Sequence, residues 1–374
     1  MSDMNRKRII SIVGFGVLLA VMIPAMMLVN RFVNIFSSYQ YVTSGQVMSE
    51  AEREEYRQSE ADQTLSDSSA EDLMAADNQF NEFLQQNSEL LKCDEYGITN
   101  ILLVGCDAES YDGYIRSDSM MVLSINKTQK TVKIVSLMRD MRVFIPRYDY
   151  YDKLNAAMAY DNSCQLLLET IEYNFKIPID KFVIINYAAF SEIVDLMGGI
   201  GISVDPDHVN AINKSISNPA NYLTRGGYQT LNGMQSLAFC RMRMVDSDVG
   251  RTQRQRDFLT AMIRKLLKSG PETMISAAEV TMPNVMTNMT FGEIVSLVTD
   301  SAGMSLYDIS QLRIPADGTW YDLVENQIMY IGFNAKKNVR LLHEFLYADA
   351  EEAAALASSA NTSPSDSEAA AANE

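Results

Sequence analysis

The sequence predicts an α/β (α+β) fold in which helices sandwich a mixed central β-sheet, with one transmembrane helix at the N-terminus. Short apolar runs rich in β-branched residues recur through the middle of the chain, and stretches with helical spacing of apolar residues lie between them. Two of the short runs, "SMMVLSIN" and "TVKIVSLM", are separated only by "KTQK", a pattern that predicts a hairpin. Strand pairs mixed with helices indicate a sheet of mixed direction covered by helices.

The N-terminal stretch Ile9–Val29 contains no charged residue and provides the ~20 apolar residues that a helix needs to cross a bilayer. Arg6–Arg8 precede it, and only Arg31 follows closely. The positive-inside rule then predicts a cytoplasmic tail (1–8), a signal anchor (9–29) and an extracellular remainder, as in a single-pass protein of the cell membrane. A cleaved signal peptide has a shorter apolar core of ~7–15 residues, so an uncleaved anchor is favoured.

The composition excludes several classes of function. A formal net charge of -17 argues against a nucleic-acid-binding protein and against broad adhesion to an anionic membrane surface. Any anionic ligand must therefore be bound by a local cluster of basic residues. With only two histidines and no C-x-x-C spacing, a zinc site or a histidine-based triad is nearly excluded. Disulfides and buried thiols both remain open for Cys93, Cys106, Cys164 and Cys240.

Beyond the anchor, the chain divides into three regions. Residues 30–95 are polar and acidic, which predicts an extracellular stalk or linker with helical stretches. Residues 96–347 carry the strand and helix patterns of one domain. Residues 348–374 are rich in alanine, serine and glutamate, which predicts a disordered tail.

Within the domain, each element is predicted from its own pattern. Short apolar runs predict buried strands at "ITNILLVG", the hairpin above, "RVFIP", "KFVIIN" and, after a glycine turn, "GGIGISV". Helical spacing predicts helices at "KLNAAMAY", "CQLLLETIEYNF", "YAAFSEIVDLM", "NGMQSLAFCRM", which begins with a capping asparagine, and "GRTQRQRDFLTAMIRKLLKSG". After Pro271, "FGEIVSLVTDSA" and "KNVRLLHEFLY" have the same spacing.

Five arginines are crowded into "RMRMVDSDVGRTQRQRD", although the chain as a whole is acidic. At ~100° per residue, the apolar stripe of the long helix extends back through Arg251 and Gln255, with Arg254 and Arg256 on its flanks. An inward-facing arginine needs a partner, which is either an internal carboxylate or a bound anion. The N-terminus of the helix favours an anion through its unpaired N–H groups and its dipole.

Acidic residues lie at the ends of predicted strands upstream. Asp107 follows the first strand, Asp118 precedes the next, and Arg139 stands at a later strand end. Carboxylates without histidine or paired cysteine suit Mg²⁺, which takes one or two carboxylates plus phosphate oxygens and water. Arginines suit bidentate recognition of phosphate, so the set indicates a metal-assisted phosphoryl site. The alternative is that both acids only pair with Arg116 and Arg139.

At these residues the sequence resembles the LytR-CpsA-Psr family of cell-wall enzymes. The matching blocks run from about residue 98 to 268 and are "NILLVGCD", "RSDSMMVLSIN", "VSLMRDMRVFIP", "DKLNAAMAY", "LNGMQSLAFCRMR" and "DVGRTQRQRDF". The resemblance implies a phosphotransferase on the outer face of the cytoplasmic membrane. Such an enzyme moves an anionic glycopolymer, such as teichoic acid or capsule, from a polyprenyl pyrophosphate carrier to peptidoglycan.

The resemblance also implies roles for individual residues. Asp107 and Asp118 match the pair associated with Mg²⁺, and Arg139 matches the arginine closest to the chemistry, with Asp118 as a weak candidate for the general base. The substrate-binding residues implied for the pyrophosphate are Arg116, Arg139, Arg241, Arg243, Arg251, Arg254 and Gln255. An apolar pocket is expected to hold the prenyl chain. Two positions depart from the family pattern, Cys106 and Met138, and neither removes a charged group.

Three functions are compatible with these residues. The first is transfer of the glycopolymer, with Mg²⁺ and the arginines stabilising the charge of the pyrophosphate. The second is binding of the lipid carrier without turnover, and the third is hydrolysis of the carrier pyrophosphate by water. The sequence leaves open the identity of the polymer, the acceptor sugar position and the oligomeric state.

Overall fold

The computed structural model describes residues 40–41, 47–86, 97–107, 115–179, 181–243, 247–269, 276, 282–301 and 304–360. The predicted cytoplasmic tail and anchor, residues 1–8 and 9–29, lie outside the described residues. Among the described residues, no helix combines the length and the hydropathy that a bilayer-spanning segment requires.

Within the described ranges, seven strands form one mixed sheet with the order β1-β10-β7-β2-β3-β4-β11. Strand β2 pairs antiparallel with β3 and parallel with β7, and β4 pairs antiparallel with β3 and parallel with β11. Three two-stranded sheets pair β5 with β6, β8 with β9 and β12 with β13. The strands are β1 Gln40–Tyr41, β2 Ile98–Cys106, β3 Ser117–Asn126, β4 Thr131–Leu137, β5 Arg142–Ile145, β6 Tyr150–Lys153, β7 Lys181–Asn186, β8 Ile200–Val204, β9 Gly227–Leu231, β10 Val285–Thr287, β11 Asp308–Ile314, β12 Trp320–Glu325 and β13 Ile328–Phe333.

Helices cover both faces of this sheet. They are α1 Glu50–Ser59, α2 Ala70–Gln86, α3 Ala156–Tyr160, α4 Gln165–Phe175, α5 Tyr187–Leu196, α6 Val209–Lys214, α7 Gly233–Arg241, α8 Asp248–Lys268, α9 Phe291–Ser301, α10 Ala335–Tyr347 and α11 Ala350–Ala360. Helix α7 begins with the predicted cap, in which Asn232 and Gln235 form a capping box. The predicted mixed sheet between helices is confirmed.

Alternation along the strands separates two apolar layers. Leu102, Val104, Val122 and Val135 point into the main core, where α4 and α10 pack. Leu103 and Met121 point to the opposite face, beneath α5, α7 and α8. Because side chains alternate between faces with period two, one sheet supports a dense core on one side and a ligand cavity on the other.

The strand directions bring the ends of β2 and β7 and the start of β3 together at one edge of the sheet. Cys106 at the end of β2 pairs with Ser117 at the start of β3 and with Asn186 at the end of β7. The residues that immediately follow these positions, Asp107, Asp118 and Tyr187, therefore meet at one edge of the sheet.

The predicted stalk, residues 30–95, is corrected by the structure for the part that includes α1 and α2. Met48, Phe80 and Phe83 are buried in the main core, and Arg142 of β5 pairs with Asp77 of α2. The acidic surface of these helices resembles a solvated linker in the sequence, but a few apolar residues anchor them to the domain.

The predicted disordered tail, residues 348–374, is also corrected in its first part. Residues Ala350–Ala360 form α11, which packs against β11. Asp317 donates its backbone N–H to the carbonyl of Ala360 at 3.0 Å, and Ala360 itself is buried. Residues 361–374 lie outside the described residues.

Candidate active site

Asp118 lies at the centre of the polar edge, and two donors from other elements hold its carboxylate. Arg139, which follows β4, donates from Nη1 to Oδ1 at 2.9 Å, and Tyr187, the first residue of α5, donates to Oδ2 at 2.6 Å. Burial alone would raise the pKa of Asp118, but the Tyr187 hydrogen bond and the charges of Arg139, Arg243 and Arg251 hold it below its ordinary value. The carboxylate is therefore ionised at neutral pH.

Backbone hydrogen bonds fix the position of Arg139. Its carbonyl accepts from the N–H of Asn155 at 3.1 Å, and the N–H of the preceding Met138 donates to Ile314 at 3.0 Å. The guanidinium also donates from Nε to Asp140 at 3.2 Å. These bonds hold the backbone of Arg139 and its Nε, and they leave Nη1 against Asp118.

Arg241 and Asp107 form the outer rim of the site. Arg241 is the last residue of α7, and its guanidinium lies 4.2 Å from the centroid of the Tyr187 ring. Its Nη2 reaches Asp107 Oδ2 at 3.4 Å, and the side chains of Arg241 and Asp107 are 48% and 60% exposed. An ion pair this open to water contributes little to stability, so both side chains remain available to a ligand.

Arg251 points inward, as the helical spacing predicts. Its side chain is 4% exposed and pairs with Asp248 at 2.8 Å, while its Nε has no hydrogen-bond partner. Burial lowers the pKa of Arg251, Asp248 partly opposes this, and the positive charges of Arg139 and Arg243 add to the lowering. Asp248 balances the charge of Arg251, but the Nε of Arg251 remains without a hydrogen-bond partner close to Asp118. Of the two partners considered from the sequence, the internal carboxylate is present and the site still favours an anion.

Three of the predicted substrate-binding residues have other partners. Arg254 donates from Nε to the carbonyl of Phe239 at 3.2 Å and also bonds the carbonyl of Met242, so it ties α8 to the end of α7. Gln255 donates to the carbonyl of Cys240 at 3.2 Å and lines the cavity. Arg116 pairs with Glu60 just after α1, with its guanidinium 4.9 Å from the Tyr56 ring.

A chain of alternating charges connects Arg116 to the centre of the site. Glu60 also accepts from Lys153 at 3.1 Å, and Lys153 lies 3.6 Å from Asp140. Asp140 in turn holds Arg139, which holds Asp118. The N-terminal helices therefore contribute to the electrostatics of the site as well as to the core.

A cavity of about 170 Å³ opens behind this edge, between the sheet and helices α5, α7 and α8. Gly105, Ser119 and Ile185 pair at one level of the sheet. Leu103, Met121 and Val183 pair two residues, or ~7 Å, deeper. Helix α8 contributes Gln255, Phe258, Leu259 and Met262 to the lining. The cavity is therefore polar beside Asp118 and Arg241 and apolar farther in.

The residues present fit a hard divalent cation. Asp107 follows the end of β2, Asp118 is the second residue of β3, and two hydrogen bonds occupy only part of the acceptor capacity of Asp118. No cluster of three or more acidic, histidine or cysteine side chains occurs in the described part of the chain. Two carboxylates suit Mg²⁺, which keeps several waters and takes its other ligands from substrate phosphates.

Three cysteines near these elements are buried, and they form no disulfide among the described residues. They are Cys106, Cys164 and Cys240. Cys93 lies outside the described residues. Burial raises the pKa of the Cys164 and Cys240 thiols, so neither is a reactive nucleophile at neutral pH.

Sequence reasoning missed Tyr187, Asp248 and Lys153. Tyr187 begins a helix directly after a buried strand, and an aromatic residue there reads as core packing. A helix-start acid such as Asp248 is usually explained by the helix dipole alone. Tyr187 directly follows the predicted strand β7. Because β7 pairs parallel with β2, Tyr187 lies at the same edge of the sheet as Asp107.

Comparison with known proteins decides the family. The sequence profile of the LytR_cpsA_psr family matches residues 54–344, well over half of the chain. The chain belongs to this family. The match begins within α1 and includes all of α2, in agreement with the packing of α2 on the domain.

The chain is similar to two transferases of the family. It is 36% identical over 170 residues to the polyisoprenyl-teichoic acid–peptidoglycan teichoic acid transferase TagT of Bacillus subtilis (strain 168), a match that covers 44% of this chain and 52% of that protein. It is 30% identical over 242 residues to the polyisoprenyl-teichoic acid–peptidoglycan teichoic acid transferase TagU of Bacillus mycoides (strain KBAB4). That match covers 62% of this chain and 76% of TagU. The match thus spans about half the length of TagT.

Solved structures of the family share the fold. The crystal structure of TagT from B. subtilis superposes with a TM-score of 0.55 at 27% identity, covering 68% of this chain and 91% of that one. A structure of the family protein YwtF (TagT) with bound octaprenyl pyrophosphate lipid gives a TM-score of 0.53 at 25% identity, covering 68% and 91% of the two chains.

Proposed function

We propose that this member of the LytR-CpsA-Psr family is a phosphotransferase that moves an anionic glycopolymer from a polyprenyl pyrophosphate carrier to peptidoglycan. The observation that carries the proposal is the polarity of the cavity, which has a carboxylate and guanidiniums at its mouth and only apolar side chains farther in. A ligand with a charged head and a hydrocarbon tail fits such a cavity. The octaprenyl pyrophosphate bound by a structural relative supports this class of ligand.

The arginines would bind and stabilise the pyrophosphate. Arg251 has an unpartnered Nε in a buried position, and Arg139 holds the adjacent carboxylate. Arg241 and Arg243 approach from the end of α7 and remain exposed, so they can close on the head group. The attraction between these guanidiniums and the ligand strengthens as the phosphoanhydride breaks, because negative charge accumulates on the leaving polyprenyl phosphate.

The reaction needs one bond formed and one broken. An acceptor hydroxyl attacks the phosphorus that carries the saccharide, the phosphoanhydride to the polyprenyl phosphate breaks, and the hydroxyl proton leaves to a base or to water. Asp118 is a weak candidate for that base, because its pKa lies below its ordinary value. Asp107 and Asp118 would hold Mg²⁺, which supplies charge neutralisation on the phosphate oxygens when bound.

The proposed location follows from the segment before the described residues. An uncleaved anchor at residues 9–29 would hold the domain on the outer face of the cell membrane, next to both the lipid carrier and peptidoglycan. A reporter fused at residue 2 should then remain cytoplasmic, while protease added to intact protoplasts digests the region after Arg31. Release of a soluble form that lacks Ile9–Val29 would contradict the anchor.

One experiment separates the three functions that the sequence allows. The full-length chain in detergent is incubated with a polyprenyl-pyrophosphoryl saccharide, Mg²⁺ and peptidoglycan fragments, and products are separated by mass. Transfer gives a saccharide phosphate joined to the peptidoglycan fragment plus polyprenyl phosphate. Hydrolysis gives free saccharide phosphate at the same rate with or without acceptor. Binding alone gives neither product and would overturn the enzymatic proposal.

A further inference from the structure

Two arginines are buried together beneath α8, away from the cavity. Arg256 of α8 and Arg313 of β11 are each only 1% exposed. Gln253, one turn before Arg256, donates to Gln311 at 3.2 Å, and Gln311 lies two residues before Arg313. This contact fixes the face of α8 that carries Arg256 against β11. Neither arginine lines the cavity described above.

One carboxylate among the described residues bonds directly to this pair of guanidiniums. Asp317 pairs with Arg313. Asp257 accepts from Gln253 at 2.9 Å and from Gln311 at 3.3 Å, and its side chain is exposed. Burial lowers the pKa of Arg256 to about 10, and the charge of Arg313 adds to this lowering. Arg256 is still protonated at neutral pH, and it has no hydrogen bond to a carboxylate among the described residues.

Unpaired donors point to what would balance this charge. Arg256 donates from Nη2 to Gln253, but its Nε and Nη1 have no hydrogen-bond partner. Ser136 of β4 pairs with Arg313 in the sheet, is 1% exposed, and its Oγ likewise has no partner. Buried donors without acceptors are costly, and a buried unpaired cation costs more. A ligand that accepts several N–H and O–H bonds and carries negative charge would remove both costs.

We propose that Arg256, Arg313 and Ser136 form an internal binding site for a small inorganic anion of the halide class. Complete burial restricts the ligand to a single small ion, which excludes the pyrophosphate and the glycopolymer. The ion bridges α8 to β4 and β11, and so fixes the helix that carries Arg251 and Gln255 at the cavity. This role is structural and is independent of the transfer reaction.

A thermal-unfolding series tests the site in the full-length chain in detergent. Sodium chloride is exchanged for sodium gluconate at constant ionic strength, so that the halide is replaced by an anion too large for a buried site. Chloride should raise the Tm by at least ~2 °C and the effect should saturate, because the ion binds only the folded state. Arg256→Gln should lose this chloride-specific shift. Arg264→Gln, which removes an exposed arginine from the same helix, should keep it.

A crystal grown in sodium bromide locates the ion and does not depend on any variant folding. An anomalous peak in contact with the Arg256 guanidinium is the expected result. Bromide found only near Arg243 and Arg251, or a water molecule in place of bromide at Arg256, would overturn the proposal. An equal chloride shift in wild type and Arg256→Gln would also overturn it.

Discussion

Tyr187 donates its hydroxyl to Asp118 at 2.6 Å, and this hydrogen bond joins the start of α5 to the start of β3. The same ring carries the guanidinium of Arg241 on its face at 4.2 Å. One side chain thus orients the carboxylate at the centre of the site and an arginine at its rim. The hydroxyl and the ring have separable roles, which substitution can distinguish.

Tyr187→Phe removes the hydroxyl and keeps the ring beneath Arg241. We expect kcat to fall by about 10-fold, because the lost hydrogen bond is to a charged group. Tyr187→Leu, which also removes the ring, should raise the KM for the lipid substrate in addition. Tyr228→Phe is the matched control, since Tyr228 is 74% exposed on β9. Equal kinetics for Tyr187→Phe and wild type would exclude a positioning role for the hydroxyl.

Asp107→Asn and Asp118→Asn test the proposed Mg²⁺ site. Each should raise the Mg²⁺ concentration required for half-maximal transfer by at least ~10-fold, because each removes a charged oxygen ligand. Asp118→Ala should abolish transfer and leave the fold intact. Asp322→Asn, an exposed acid on β12, serves as the control. Wild-type transfer by Asp118→Ala would end the proposal.

Arg251→Ala tests whether the buried guanidinium near Asp118 binds the lipid phosphate. Polyprenyl phosphate at ~100 times its Kd should stabilise the wild-type chain by ~2.7 kcal/mol, and the variant should lose most of this effect. The unliganded Tm should change little, because Asp248 is 26% exposed and can be hydrated once its partner is gone. Destabilisation of the unliganded variant by ~3–5 kcal/mol would instead identify a structural ion pair.

Phe80→Ala tests whether α2 is integral to the domain. Phe80 is buried in the main core, so its truncation should lower the free energy of unfolding by about 3 kcal/mol. Met74→Ala on the same helix should change it by less than ~0.5 kcal/mol, because Met74 is 64% exposed. Thermal unfolding measures both. An unchanged free energy of unfolding in Phe80→Ala would indicate that α2 is a linker and not part of the domain.

Lys133 gives the stability a specific pH dependence. Its ammonium donates to the carbonyls of Leu346 and Ala348, and burial lowers its pKa to about 8. The unfolded chain releases this proton only near pH 10.4, so between these values it binds more protons than the folded chain. Stability contributed by this group should therefore rise with pH through that window.

The measurement compares wild type with Lys133→Met at pH 7.5 and pH 9.5. The difference in unfolding free energy between the two proteins should shift by about 2 kcal/mol in favour of wild type at the higher pH. The comparison cancels groups that titrate equally in both chains. No change in the difference between the two pH values would contradict the lowered pKa.

The long helix shows what periodicity can predict. The apolar spacing of α8 placed Gln255 and Arg251 on its inner face, and the structure puts Gln255 in the cavity lining and buries Arg251. A regular helix repeats every 3.6 residues, so one stripe fixes the direction of each side chain. The same logic does not identify partners. Arg254 bonds backbone carbonyls and Arg116 pairs with Glu60, which depend on tertiary placement.

The ends of the domain show where composition misleads. Helix α2 has a polar, acidic sequence, yet Phe80 and Phe83 are buried and Asp77 pairs with Arg142, 65 residues later. An alanine- and serine-rich tail reads as disordered, although Ala360 is buried. The spacing of Phe80 and Phe83 predicts a helix, but it does not identify the domain on which that helix packs. Strands β12 and β13 were missed for a different reason: they form a local hairpin around Asn326 and Gln327, and this turn lacks the glycine that usually marks such a hairpin.

The edges of the large sheet determine how readily copies of this protein pair through their strands and aggregate. Along one edge, α11 packs against the seven-residue strand β11, and in the described part of the chain the opposite edge is the two-residue strand β1. Natural sheets avoid uncontrolled pairing with a second chain by shortening or covering their edge strands in this way. A chain held at high density on a surface would therefore offer its neighbours little backbone to pair with, and removing residues 350–360 should make it prone to aggregate.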